Sequence, residues 1–156
     1  DRQPDFKDAG QFRATRLASS SISLFATPEL AARLRPGFPL SLDRQPFLTT
    51  SLNAPYINEL MNWFAAKRIR INVVAEVDDS ALIKVFGRQG LGYFAAPTVI
   101  HDEVCRQYEV ECIGSIGEVR ETLYAVTRAR SSGNPAIEAL LKSRPELDDS
   151  IEKIEL

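Results

Sequence analysis

Asp78, Asp79 and Ser80 are three oxygen-bearing side chains in a row, set directly after an apolar run. Short oxygen side chains there accept hydrogen bonds from the free amides of a first helical turn, and the same amides, left open, hold small anions. A second place of this kind is Ala95-Ala96-Pro97-Thr98, again at the end of an apolar run. His101, the only histidine, stands beside Asp102 and is the natural candidate for general-base work. No serine or cysteine nucleophile is marked as its partner, so a solvated or capping histidine is the expectation. Cys105 and Cys112 lie seven apart, a spacing of no metal or redox motif, and each is expected to face a core, one from a helix and one from a strand. Asp78 beside Asp79 would attract a cation, but two acids without further oxygen ligands are too few for a hard one. No metal site and no cofactor are expected.

The elements around the first two places follow from the run Ile71 to Ile100. Ile71, Val73, Val74, Ala75 and Val77 make an apolar, β-branched segment of the kind found in a strand covered on both faces. A helix should start at residues 78–80 and carry Ala81, Leu82, Val85 and Phe86 on its buried side, with Gly87 and Gly90 weakening and then ending it. Leu91 to Ala96 reads as a second strand, where Gly92 leaves room for close backbone approach, and Pro97 suits the first position of another helix. This β-α-β order makes the two strands parallel, with carboxyl ends opening on one edge of the sheet. Small ligands bind at such an edge, so function is placed at Asp78 to Ser80 and Ala95 to Thr98.

Earlier in the chain, Phe12 to Ala18 and Ile22 to Ala26 read as two strands separated by a serine cluster at Ser19 to Ser21. Thr27-Pro28-Glu29 is a helix start, with Leu30, Ala31 and Leu34 facing inward and Arg35-Pro36-Gly37 as the stop. Phe47 to Thr50 is a short strand. Ile57, Leu60, Met61 and Phe64 then recur at helical spacing. Beyond the central unit come a helix from Thr98 to Gln107, a strand from Val110 to Ile113, a flexible turn at Gly114 to Gly117 and a strand from Val119 to Arg128. A last helix opens at Pro135, and an acidic tail follows Glu146. Strands alternating with helices predict an α/β fold, a mostly parallel sheet with helices on both faces.

The chain has 156 residues, 44% of them hydrophobic and 26% charged, enough for one domain core. A net charge of -2, with no run of lysine or arginine, excludes the electrostatic footprint of a nucleic-acid binder. Nothing approaches the ~18 apolar residues of a membrane span, so a cytoplasmic protein with no membrane partner is expected. A start at Asp1 rather than methionine suggests a piece of a longer protein. Phosphate-cradling glycine motifs, G-x-S-x-G, H-E-x-x-H and paired cysteines are all missing, which leaves catalysis without a residue set.

At F-A-T-P-E-L (25–30), N-W-F (62–64), E-V-D-D-S-A-L (76–82) and G-L-G-Y-F-A-A-P (90–97) the chain resembles the effector-binding domain of LysR-type transcriptional regulators. Within that family it looks most like the regulators of sodium/proton antiporter genes. The resemblance covers roughly Leu17 to Leu141. It implies one Rossmann-like lobe of a periplasmic-binding-protein type 2 fold. On that reading residues 1–20 are a lead-in and crossing strand, 21–128 the second lobe, and 129–156 a terminal helix and tail. A winged helix-turn-helix and most of the first lobe are not in this stretch, so DNA would be bound only through a domain elsewhere.

Carried over by position, the family's ligand-binding residues fall on Thr50, Ser51 and Asn53, on Asp78 and Asp79, and on Ala96 and Pro97. The competing reading of Asp78, Asp79 and Ser80 is a plain helix cap. The resemblance also implies a small-molecule or ion effector and a homodimer formed through exposed apolar helix faces. The alternative is a stand-alone interaction module that pairs with itself or with a full-length regulator. An enzyme is the least supported reading.

Overall fold

The computed structural model describes residues 12–50, 55–128, 135 and 138–139. Ser51 and Asn53, the lead-in before residue 12, the apolar positions expected in the terminal helix and the acidic tail lie outside the described residues.

β1 (Phe12–Ala26) is a single strand. The serines expected to break it are buried within it: Ser19, Ser20, Ser21 and Ser23 all lie inside the sheet. β5 (Glu111–Arg128) is likewise unbroken and runs straight through Gly114-Ser115-Ile116-Gly117, expected as a turn. The two strands pair antiparallel from Phe12 opposite Arg128 to Ala26 opposite Glu111, and three register shifts absorb the irregular residues. A ladder this long overrides local turn preference, since each backbone amide and carbonyl inside it must be paired. Gly114 is small for a packing reason, because a Cβ there would lie 2.8 Å from the Phe38 ring.

The helices follow the local signals more closely. In α1 (Pro28–Leu34) Thr27 caps the first turn, and Ala31 and Leu34 are buried. After β2 (Pro46–Thr49), α2 (Pro55–Ala66) buries Ile57, Leu60 and Phe64 with Met61 half-buried, as the 3.6-residue spacing predicts. β3 (Asn72–Glu76), α3 (Ser80–Arg88) and β4 (Tyr93–Pro97) follow, then a short 3-10 turn over Thr98–Ile100 and α4 (His101–Tyr108).

The strands lie in the order β3-β2-β4-β1-β5. β2 is parallel to both β3 and β4, while β1 is antiparallel to β4 and β5, so four strands run one way and β1 the other. Consecutive residues point to opposite faces of a strand. Leu24, Phe47 and Tyr93 accordingly pack with α1 and α2, while Phe25, Leu48 and Phe94 pack on the face that carries α3 and α4. The expected mostly parallel sheet with helices on both faces is the observed one.

β3 and β4 are parallel, as expected, with β2 between them. Two expectations are corrected. β3 is an edge strand rather than one covered on both faces: Val73 and Val74 are 46% and 47% exposed. The two helices that flank it in sequence do not cover it, as α3 packs on β2 and β4 and α2 on β5. The buried side of α3 is Ile83 and Gly87, with Phe86 half-buried, whereas Ala81, Leu82 and Val85 face outward. The cause is Gly87, where a Cβ would lie 2.3 Å from the Phe94 ring. The missing side chain lets the helix seat directly on that ring and turns the larger residues outward. Gly90, at φ 79, then ends the segment in the left-handed region that glycine adopts at little cost.

Candidate functional site

Parallel strands finish at one rim, which holds Thr50 and Asp78 just past the ends of β2 and β3 and Ala95 to Pro97, the last three residues of β4. β1 crosses that rim in the opposite direction. Ile22 is level with Pro97, the last residue of β4, and two residues earlier in β1 Ser20 pairs with Glu121 of β5. Glu121 therefore stands beyond the end of β4 as a side wall. The first turns of α2, through Tyr56, and of α3, through Ser80, Ile83 and Lys84, complete the enclosure. The cleft so formed has a volume of about 370 Å³, near the lower end of the ~300–1,000 Å³ typical of small-molecule pockets.

Thr50, Asp78, Ala96 and Pro97, four of the expected positions, line this one cleft. Asp79 does not line it. Its Oδ1 accepts hydrogen bonds from the Leu82 and Ala81 amides at 3.1 and 2.8 Å, and these bonds hold the carboxyl below its usual pKa. Asp79 is thus the helix cap, the role weighed above as the competing one.

Sequence reasoning missed Tyr56, Lys84 and Glu121. The Lys84 ammonium donates to the Ser80 carbonyl at 2.9 Å, and burial lowers its pKa against the opposing charges of Asp79 and Glu121. Burial raises the pKa of the Glu121 carboxyl, an effect that nearby positive charge, Lys84 included, only partly offsets. The Tyr56 hydroxyl is pushed up to about 12 by burial and by Glu121, so it stays a neutral phenol. Lys84 was legible in principle, since it falls one helical turn after Ser80 and on the same face. Glu121 was not, because only the long β1–β5 register brings it here.

The serines of β1 anchor the opposite wall. The Ser21 hydroxyl donates to Thr98 Oγ1 at 2.9 Å, Ser23 Oγ shares a hydrogen bond with the same atom at 2.7 Å, and the Val99 amide donates to Ser20 Oγ at 3.0 Å. Ser23 also bonds Ser115 of β5 at 2.8 Å. These bonds fix the 95–98 segment to the strand that carries its neighbour.

His101 lies apart from the cleft lining. Its Nδ1 meets Asp102 Oδ1 at 2.9 Å, its ring centroid is 5.6 Å from that of Phe25, and Nε2 is 3.9 Å from Cys105 Sγ, one turn along. The structure therefore supplies the cysteine neighbour that the sequence had not marked. That thiol is no activated nucleophile, for burial and the nearby Cys112 raise its pKa where activation requires it lowered. Both cysteines are only partly buried. Among the described residues no group of three or more His, Cys, Asp or Glu side chains is placed to hold a metal ion. No helix among them is long and apolar enough to cross a membrane.

Comparison with known proteins is decisive on the family. The sequence profile described as LysR substrate binding domain matches residues 2–143. The chain belongs to the LysR substrate-binding domain family. A curated relative, the transcriptional activator protein NhaR of Escherichia coli, is 28% identical over 103 residues, which is 66% of this chain and 34% of NhaR. The LysR chain thus spans about a third of the length of that relative. Among solved structures, the effector domain of the regulator AmpR of Pseudomonas aeruginosa superposes with a TM-score of 0.64 at 24% identity, covering 86% of this chain and 65% of that one. Full-length HypT of Salmonella typhimurium, a hypochlorite-specific LysR-type transcriptional regulator, gives 0.59 at 17% identity, with coverage of 86% and 45%. At these identities the two structures speak for the fold, the α/β effector-binding domain of periplasmic-binding-protein type 2 form. A family of regulator domains points away from catalysis.

Proposed function

We propose that this LysR domain is the ligand-sensing part of a cytoplasmic transcriptional regulator, holding a small effector in the cleft at the ends of β2, β3 and β4. Residues 21–128 form the second lobe of the effector-binding unit, 1–20 lead into it and 129–156 leave it, and DNA is bound by a domain outside this chain. The observation that carries the reading is the convergence of Thr50, Asp78, Ala96 and Pro97 on one cleft of molecular size. Ser51 and Asn53, carried over by position in the sequence, belong to the proposal, and Asp79 supports it by ordering the first turn of α3. An effector seated here touches both the α/β body and the β1–β5 ribbon, so its differential affinity shifts their relative placement. The protein acts as a homodimer, and the exposed apolar residues Leu82 and Val85 on α3, with Val73 and Val74 on the open edge, suit a subunit contact.

A thermal-shift screen of sodium, lithium, small carboxylates and small amines tests this reading. A ligand at a hundred times its dissociation constant adds about 2.7 kcal/mol to the folded state. The expected result is a melting-temperature rise with one class of compound that Ala95→Leu abolishes, since Ala95 lines the cleft and the larger side chain fills it. A rise that Ala95→Leu leaves untouched, or silence across the screen, removes the cleft from the mechanism.

A further inference from the structure

We propose that Cys105 and Cys112 are a dithiol pair, which an oxidant of the peroxide class closes to a disulfide within the chain and a thiol reductant reopens. The pair stands apart from the effector cleft. These are the two cysteines of the sequence, and both are free and partly buried. Cys105 lies in the last turns of α4 and Cys112 near the start of β5, and only Glu109 and Val110 join the two elements. Glu109, in the left-handed region at φ 53, turns the chain, and Val110 is buried. The helix is thereby folded back against the strand that follows it.

The packing brings the sulfurs together from both sides. Cys112 is the cross-strand partner of Phe25. The Phe25 ring carries the His101 ring at a centroid distance of 5.6 Å, and Cys105, one helical turn after His101, holds its Sγ 3.9 Å from Nε2. Phe25 and both cysteines accordingly belong to one apolar cluster on the face of the sheet that carries α3 and α4. The Cys112 thiol is within hydrogen-bonding reach of the Ser23 and Ser115 hydroxyls, which bond one another at 2.8 Å. The Cys112 backbone is in turn within hydrogen-bonding reach of the Cys105 sulfur. A sulfur that touches the backbone of the residue it would bond is within a side-chain rotation of the second sulfur, in the range that disulfides span.

The chemistry balances with one peroxide. One thiol attacks a peroxide oxygen, the O–O bond breaks, the thiol proton leaves on the departing oxygen as water, and a sulfenic acid remains. The second thiol attacks that sulfur, the S–S bond forms, the S–O bond breaks, and its proton completes a second water. Burial pushes both thiols up in pKa, so the first step is slow and needs sustained oxidant. The second is helped by the short loop between the residues, which leaves little closure entropy to lose. A disulfide of this kind, formed in a reducing compartment, is transient and reports oxidant excess.

Thiol mapping of this chain decides it. The reduced protein is treated at neutral pH with hydrogen peroxide or, without peroxide, with diamide, then denatured and capped with N-ethylmaleimide for mass spectrometry. Trypsin cuts after Arg106, between the two cysteines, so a disulfide holds the peptides 89–106 and 107–120 together until it is reduced. Both capping sites should be lost in step, with a mass loss of two hydrogens, the linked peptides, monomer mobility on a non-reducing gel and full recovery in dithiothreitol. Cys105→Ser and Cys112→Ser should each abolish the linked peptides. Separate oxidation of the two thiols to sulfinic acids, cross-links formed only between chains, or two free thiols after prolonged diamide would each overturn the pair.

Discussion

Replacing Gly92 by alanine tests the contact on which the cleft depends. Gly92 lies beside Pro46, one step before the paired residues Phe47 and Tyr93, where β2 and β4 first come together. A Cβ at this position would stand 2.5 Å from the Pro46 carbonyl oxygen and 2.9 Å from its carbon. Both atoms are backbone, so no side-chain rotation relieves the clash, and the strands must separate by about half an ångström or more. Overpacking of this kind costs about 1–3 kcal/mol, and the lower chain entropy of alanine in the unfolded state returns about 0.4–1 kcal/mol of it. The expected net loss of roughly 1–2 kcal/mol corresponds to a fall of about 3–10 °C in melting temperature for a domain of this size. Because Thr50 follows β2 and Ala95 to Pro97 end β4, the same separation widens the cleft, and ligand-induced stabilisation should shrink with it. Thermal melts followed by circular dichroism, with and without the best ligand of the screen, measure both effects. Gly90→Ala is the control, for its nearest neighbour would be Thr27 Cγ2 at 3.8 Å and only its φ of 79 resists a side chain. That variant should lose about 1 kcal/mol and keep its full ligand response. A Gly92→Ala protein as stable as the parent, with an unchanged ligand response, would refute the reasoning.

Other expectations follow from single contacts. Tyr93 is fully buried and its hydroxyl has no hydrogen-bond partner among the described residues, so Tyr93→Phe should raise stability by about 1–3 kcal/mol, read as an increase in the urea midpoint at constant slope. Asp43 accepts bonds from the Arg70 side chain and amide, which hold its carboxyl down at about 2. A depressed folded pKa stabilises above the ordinary carboxylate range and fades as pH falls through the folded value. Asp43→Asn should therefore lower the melting temperature at pH 6, and the difference from the parent should close between about pH 4 and pH 2. Burial raises the pKa of both Cys105 and Cys112, so iodoacetamide at pH 7.5 should alkylate each more slowly than it alkylates free cysteine, as mass spectrometry over time would record.

What the sequence disclosed is what depends on neighbours a few residues away. Thr27 capping α1, the Ile57, Leu60 and Phe64 stripe of α2, and the turn after β3 were all legible because capping and helical periodicity are local. The rim was legible for a related reason, since the parallel pairing of successive β-α-β units obliges their strand ends to open together. What misled was also local: the three serines of β1 carry a turn-like composition, yet inside the sheet the hydroxyl of Ser21 is bonded to Thr98, that of Ser20 to the Val99 amide and that of Ser19 to Arg120, partners whose positions no nearby residue predicts.

Glu121 makes the same point more sharply. Its neighbours Arg120 and Thr122 mark it only as one position in an alternating strand, and nothing within the strand says whether it faces solvent or a ligand. Its place follows from pairing with Ser20, a residue 101 positions earlier, after a register shift between Ser21 and Ile22. A slip of one residue in that ladder would turn Glu121 to the other face of the sheet and bring a neighbour into the cleft instead. Whether Glu121 reaches the cleft is thus decided by the alignment of two strands, in which Gly117, Glu118 and Val119 of β5 have no counterpart between Ser21 and Ile22, and deleting Glu118 from that excursion should change any ligand response without touching a residue that lines the cleft.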